Sequence, residues 1–145
     1  MNNESVSKPA PHPTDVSLPY WESLSHGVLS LQRCARCDKY RHYPRLVCDN
    51  CYSLEVEWVE SSGRGEIHSW TVAHHAFHPG FVGDLPYVLV TVTLEEGVRA
   101  MGRLRGIDAA DIRIGLAVEF TVEQRHDGVA LPAFVRAADT SRVSN

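Results

Sequence analysis

Apolar and polar residues alternate over several stretches in the second half of the chain. In PYVLVTVTLEE, Val88, Val90, Val92 and Leu94 fall on one face by the two-residue period of a strand. AVEFTVEQR sets Val118, Phe120 and Val122 against Glu119, Thr121 and Glu123, which predicts a half-exposed strand. Glu96-Gly97 and Asp127-Gly128 predict hairpin turns, the second leading into a last strand in VALPAFVRA. EVEWVESSGRGEIHSWTVAHH carries strand signals on both sides of a flexible Ser-Ser-Gly-Arg-Gly turn, and IDAADIRIG predicts a short helical turn or loop closing at Gly115. About five mostly antiparallel strands follow, enough for a small barrel that begins near Glu55. Helical spacing is confined to LPYWESLSHG, where Tyr20, Trp21 and Leu24 lie between Pro19 at the opening and Gly27 at the end.

Between helix and barrel, VLSLQRCARCDKYRHYPRLVCDNCYS reads as strand, tight turn, strand, tight turn. Each turn holds a Cys-x-x-Cys pair, Cys34 with Cys37 and Cys48 with Cys51, and such a pair presents two thiolates to one ion. The ten residues between the pairs are enough to bring the second turn back to the first. A structural zinc site with four sulfur ligands and no position left for a catalytic water is expected. An iron centre, unrelated thiols or disulfides remain as alternatives. Arg33, Arg36, Lys39, Arg41 and Arg45 surround the pairs, and they serve either to solvate and partly neutralise the tetrathiolate centre or to bind a polyanion.

Composition narrows the function classes. With 145 residues the chain suits one ordinary domain, or a small metal-held module joined to a β domain. A formal charge of −4 argues against a nucleic-acid binder, whose basic footprint would have to be local. No apolar run approaches a membrane span, and the N-terminus has no apolar signal core, so a soluble cytoplasmic protein is expected, in a compartment that keeps thiols reduced. Residues 1–17 are rich in Ser, Asn, Pro and charge and predict a mobile arm.

Candidate chemistry outside the cysteines is sparse. No Gly-x-Ser-x-Gly elbow, Walker loop or dinucleotide fingerprint occurs, since Gly63-Arg64-Gly65 lacks a third glycine and a following helix. No residue is assigned a catalytic role. The loop from Ala73 to Pro86 carries His74, His75, Phe77, His78 and Phe81, and is the expected surface for a ligand or partner. Two blander readings stand beside it: the histidines are polar loop residues, and Phe77 and Phe81 cap the barrel core. Tyr20 and Trp21 face either the chain's own core or a partner. Arg99 and Arg103, with Arg105, alternate along one strand and form either a solvated face or a phosphate contact.

The ordered motifs YWESLSHGVLSLQRCARC, CDNCYS, EWVESSGRGEIHSWTV, PYVLVTVTLEEGVRAMGRL and IRIGLAVEFTVE together resemble the DUF35 family, over roughly Leu18 to Ala137. The resemblance implies a mainly β protein: a short N-terminal helix, a rubredoxin-like zinc ribbon and a five-stranded OB-fold barrel. The boundaries drawn are an arm at 1–17, helix and ribbon at 18–55, the OB fold at 56–137 and a tail at 138–145. It further implies a non-catalytic accessory subunit that binds or guides an acyl-CoA. Such a subunit assembles as a hetero-oligomer with a thiolase-superfamily enzyme, an aldolase or acyltransferase, or else with a MaoC-like hydratase. The alternative is a single-stranded nucleic-acid binder, since ribbons and OB barrels both serve that task.

Overall fold

The computed structural model describes residues 6–138. The first five residues of the expected arm, and the expected tail beyond residue 138, lie outside them.

Helix α1 (Leu18–Ser25) is short, and its ends carry the signals that hold it. Pro19 sits in the first turn, where no intrahelical N–H is needed. Past the last turn Gly27 takes φ 78, and the Gly27 and Val28 N–H groups return to Leu24 O and Ser23 O at 2.9 Å each. This is a Schellman closure, which only a residue comfortable in the left-handed region completes without strain. Tyr20 and Leu24, one turn apart, are the two residues the helix buries.

The ribbon is a three-stranded antiparallel sheet of β1 (Ser30–Cys34), β2 (Tyr40–Arg41) and β3 (Val56–Glu60), in the order β2-β1-β3. Val56–Glu60, placed at the start of the OB fold by the sequence, pairs along its whole length with Ser30–Cys34 in the ribbon sheet. Its strand propensity was legible, but its partner is set by a register across residues far apart in sequence.

Five strands then close a barrel: β4 (Arg64–Ala73), β5 (Tyr87–Leu94), β6 (Arg99–Leu104), β7 (Ala117–Gln124) and β8 (Ala130–Arg136), in the order β4-β5-β6-β8-β7. Neighbours are antiparallel except β6 and β8, and β4 closes the ring by pairing with both β5 and β7. A register shift between Ile67 and Ser69 bends β4 so that it can serve both. The expected inward face of β5 is observed, with Val90, Val92 and Leu94 buried, and Gly97 (φ 86) and Gly128 (φ 86) sit in the two hairpin turns.

The core does not divide at the ribbon. Tyr20 and Leu24 of α1 and Leu29 and Leu31 of the ribbon join Ile67, Val90, Val92, Val118 and Phe134 of the barrel in one apolar cluster. Helix, ribbon and barrel are therefore packed as a single unit. Among the described residues no helix is long and apolar enough to cross a membrane.

A candidate metal centre and an apolar groove

The two cysteine turns are near copies of one another. Cys34 N–H donates to Lys39 O at 2.9 Å and Asp38 N–H to Cys34 O at 3.0 Å; Cys48 N–H donates to Ser53 O and Tyr52 N–H to Cys48 O, both at 3.0 Å. Asp38 (φ 62) and Tyr52 (φ 60) hold the matching left-handed position after each pair's second cysteine. These turns point all four sulfurs inward, within 4.8 Å of one another, with Cys34 to Cys51 at 3.5 Å and Cys37 to Cys48 at 3.6 Å. A tetrahedron with metal–sulfur bonds of about 2.3 Å has edges of about 3.8 Å, so the set fits one tetrahedral ion. Disulfides would instead separate the sulfurs into two bonded pairs, and all four cysteines are free.

The thiols do not titrate alike. N–H groups of Cys37 and Arg36 hold the Cys34 thiol down to about 6 and those of Cys51 and Asn50 lower that of Cys48, whereas Cys51, against the Ser53 N–H, is pushed up to about 11 by burial and the neighbouring thiols. The surrounding cations are largely committed. Arg41 is buried, with Nε on Gln32 Oε1 at 2.9 Å and Nη2 on Arg45 O at 3.1 Å, while Arg33 pairs with Glu57 and Lys39 with Asp49. These three brace the ribbon, while Arg36 and Arg45 are exposed and form no ion pair among the described residues.

A second feature lies on the flank of the barrel. Leu89 and Thr91 of β5 face Arg103 and Met101 of β6 across the ladder, on the side opposite the buried Val90 and Ala100. Against this outward face stand Tyr20 and Trp21 of α1, Tyr43 of the ribbon and Phe81 of a 3-10 turn (Pro79–Asp84). Together with Tyr87, Leu131 and Pro132 they enclose a groove of about 320 Å³. Tyr43 ties ribbon to barrel, its hydroxyl oxygen accepting from Met101 N–H at 2.9 Å.

The groove's only charged lining residues, Arg103 and Glu123, neutralise each other. Arg103 donates to Glu123 Oε1 and Asp84 Oδ2 at 3.3 Å each, and its guanidinium lies 4.6 Å from the Tyr87 ring centre. Lys8 first, and Arg103 beside it, hold the Asp84 carboxyl below the usual carboxylate range. Aromatic and aliphatic walls with one pinned cation suit an apolar moiety joined to a polar remainder.

Several expected surface residues fall elsewhere. Phe77 does not cap the core: it is 97% exposed, with its ring 4.8 Å from that of His75. His74 and His75 are exposed, and His78 accepts from Gly80 N–H at 3.0 Å, capping the 3-10 turn. Among the described residues the histidines form no metal-binding group; the four cysteines are the group that comes together. Arg99 is exposed and does not line the groove, so Tyr20, Trp21, Phe81 and Arg103 are the expected residues that meet. Sequence reading missed Tyr43, Tyr87, Leu89, Met101 and Leu131. The unbroken run Tyr87-Val88-Leu89-Val90 was the available signal, since a strand apolar on both faces is covered on both.

The arm also departs from expectation. From Lys8 onward it is fastened: Lys8 Nζ binds Asp84 Oδ2 at 2.7 Å, and Arg125 donates to the Pro9 and Lys8 carbonyls at 2.7 and 3.1 Å. Polar and proline-rich composition did not foretell main-chain anchoring by a distant arginine.

Residues 21–57 match the ChsH2 rubredoxin-like zinc ribbon domain and residues 58–123 the ChsH2 C-terminal OB-fold domain. A solved structure described as an Ltp2-ChsH2(DUF35) aldolase contains a chain 35% identical, with TM-score 0.81, the match covering 88% of this chain and 99% of that one. The probable enoyl-CoA hydratase alpha subunit of Thermomonospora curvata is 37% identical over 79% of this chain and 35% of its own length. The benzoylsuccinyl-CoA thiolase subunit BbsA of Geobacter metallireducens is 31% identical over 65% of this chain and 56% of its own. The chain thus spans about a third of the first relative and about half of the second.

Proposed function

The chain belongs to the DUF35 family, with a ChsH2-type zinc ribbon and OB fold, and from that premise we propose that it is a non-catalytic accessory subunit of a thiolase-like enzyme acting on acyl-CoA. The observation that carries this reading is the likeness, over nearly all of its length, to the DUF35 chain of an aldolase assembled with Ltp2. The thiolase subunit among its relatives points the same way. The ion in the ribbon is zinc, held by Cys34, Cys37, Cys48 and Cys51, and it supplies a structural cross-link.

The groove takes the acyl part of the thioester. Its walls are apolar, and the side chains lining it include no serine, cysteine or histidine to attack a carbonyl. Bond making therefore falls to the companion. A hydratase companion is the second reading, favoured by the hydratase alpha subunit of which this chain matches about a third. A single-stranded nucleic-acid role is disfavoured by the net charge of −4.

Co-expression with a thiolase-fold enzyme encoded nearby tests the proposal. A complex of fixed stoichiometry that cleaves or condenses acyl-CoA, with each chain inactive alone, is the expected outcome. Turnover by this chain without a companion would reject it.

A further inference from the structure

The segment at residues 8–13 has no regular secondary structure, yet it meets the wall of the groove at Phe81 and shares a second cavity with Trp21. The Lys8 ammonium lies 5.5 Å from the centre of the Phe81 ring as it reaches Asp84. Ala10, Pro11 and Pro13 close a separate cavity of about 200 Å³ against Trp21 and the β7–β8 hairpin. Phe81 and Trp21 are both walls of the groove.

The fastening is substantial. Arg125, whose side chain is 7% exposed, grips two consecutive carbonyls of the segment. Lys8 and the capping His78 both crowd Gly80, where an added Cβ would meet His78 Nδ1 and Lys8 Cγ at 3.1 Å each and Lys8 Cα at 3.2 Å. The 3-10 turn that bears Phe81 and Asp84 buries no residue of its own, so contacts from outside must hold it. Asp84 is also shared between Lys8 and Arg103, which couples the segment to the charged rim.

We propose that residues 8–13 form a clamp that fixes the width of the groove by holding the turn that bears Phe81, and so selects the apolar groups it admits. The selection rests on the reading that the groove receives an acyl group, whereas the holding of the turn does not. Prolines at 9, 11 and 13 restrict the segment's backbone and lower the entropy lost when it is fastened. With the clamp released, the turn at 79–84 swings free and the groove widens toward solvent.

Hydrogen exchange of the amides at 80–84 should be followed by mass spectrometry in the parent protein, in Lys8→Met and in a chain lacking residues 2–13. Affinities for a short straight-chain acyl-CoA and a polycyclic acyl-CoA should be measured in the same three proteins. The clamp predicts exchange about tenfold faster at 80–84 in both variants, with the β5 and β6 amides unchanged. It also predicts a ratio of polycyclic to short-chain affinity raised at least about fivefold. Unchanged exchange at 80–84 after removal of the arm would overturn the clamp. Faster exchange with an unchanged affinity ratio would overturn the selection. If no version binds either thioester while exchange still accelerates, the holding of the turn stands. The acyl-binding reading of the groove then fails, and selection fails with it.

Discussion

His42 places its ring 5.3 Å from that of Tyr20 and 4.0 Å from that of Tyr43, with Nε2 buried and without a hydrogen-bond partner. Burial pushes its imidazole down to about 4, against about 6.5 in an unfolded chain. Between those values the unfolded chain takes up a proton that the folded one refuses, so this residue's contribution to stability declines as pH falls from 6.5 toward 4. From pH 7 to pH 5 the metal-loaded parent should lose about 1–2 kcal/mol more than His42→Phe, read from urea midpoints. Equal losses would show that the buried ring is not the source. Gly65 answers to sterics instead. Its backbone pairs with both β5 and β7, and a Cβ there would meet Val92 Cγ1 at 2.7 Å and the Thr93 main chain. Gly65→Ala should cost roughly 2 kcal/mol or more in thermal unfolding, because β4 would have to leave its partners.

At the scale of elements, the zinc proposed for the ribbon would cross-link its two cysteine turns, while the shared core holds the barrel. Cys34→Ser should abolish stoichiometric zinc and speed amide exchange in β1 to β3, while β5, with Val90 and Val92 buried, stays protected. Leu29 and Leu31 tie the ribbon to the same core as Tyr20, Leu24, Val90 and Val92, so the acceleration should be largest at the cysteine turns and smallest beside that core. Simultaneous loss of protection in β5 would contradict this division. The same elements divide what the sequence made legible. The cysteine turns and the alternating strands could be read directly, since each is specified by local spacing. The pairing of Val56–Glu60 with β1 could not, because strand propensity names no partner. Nor could the fastening of the arm, which depends on Arg125, 116 residues from Pro9. The groove was half legible: Tyr20, Trp21, Phe81 and Arg103 stood out by residue type, but Leu89 and Leu131 are ordinary strand residues until α1 is laid over them.

For the whole molecule, the shared core makes helix, ribbon and barrel one rigid platform, and the groove lies where all three meet. Under the proposed function, this platform would present part of a companion enzyme's substrate in a fixed place. Leu89→Trp, which fills the groove from its floor, should leave assembly intact and raise the KM of the assembled enzyme for its acyl-CoA at least about tenfold. An unchanged KM would remove the groove from substrate binding. The most direct test of the central claim is purification of the complex from native cells, followed by turnover assays of the complex and of each separated chain on acyl-CoA. The account predicts a thiolase-superfamily chain in constant ratio with this one, and activity that returns only when the two are recombined. Recovery of this chain without such a companion, or activity that it retains alone, would contradict it.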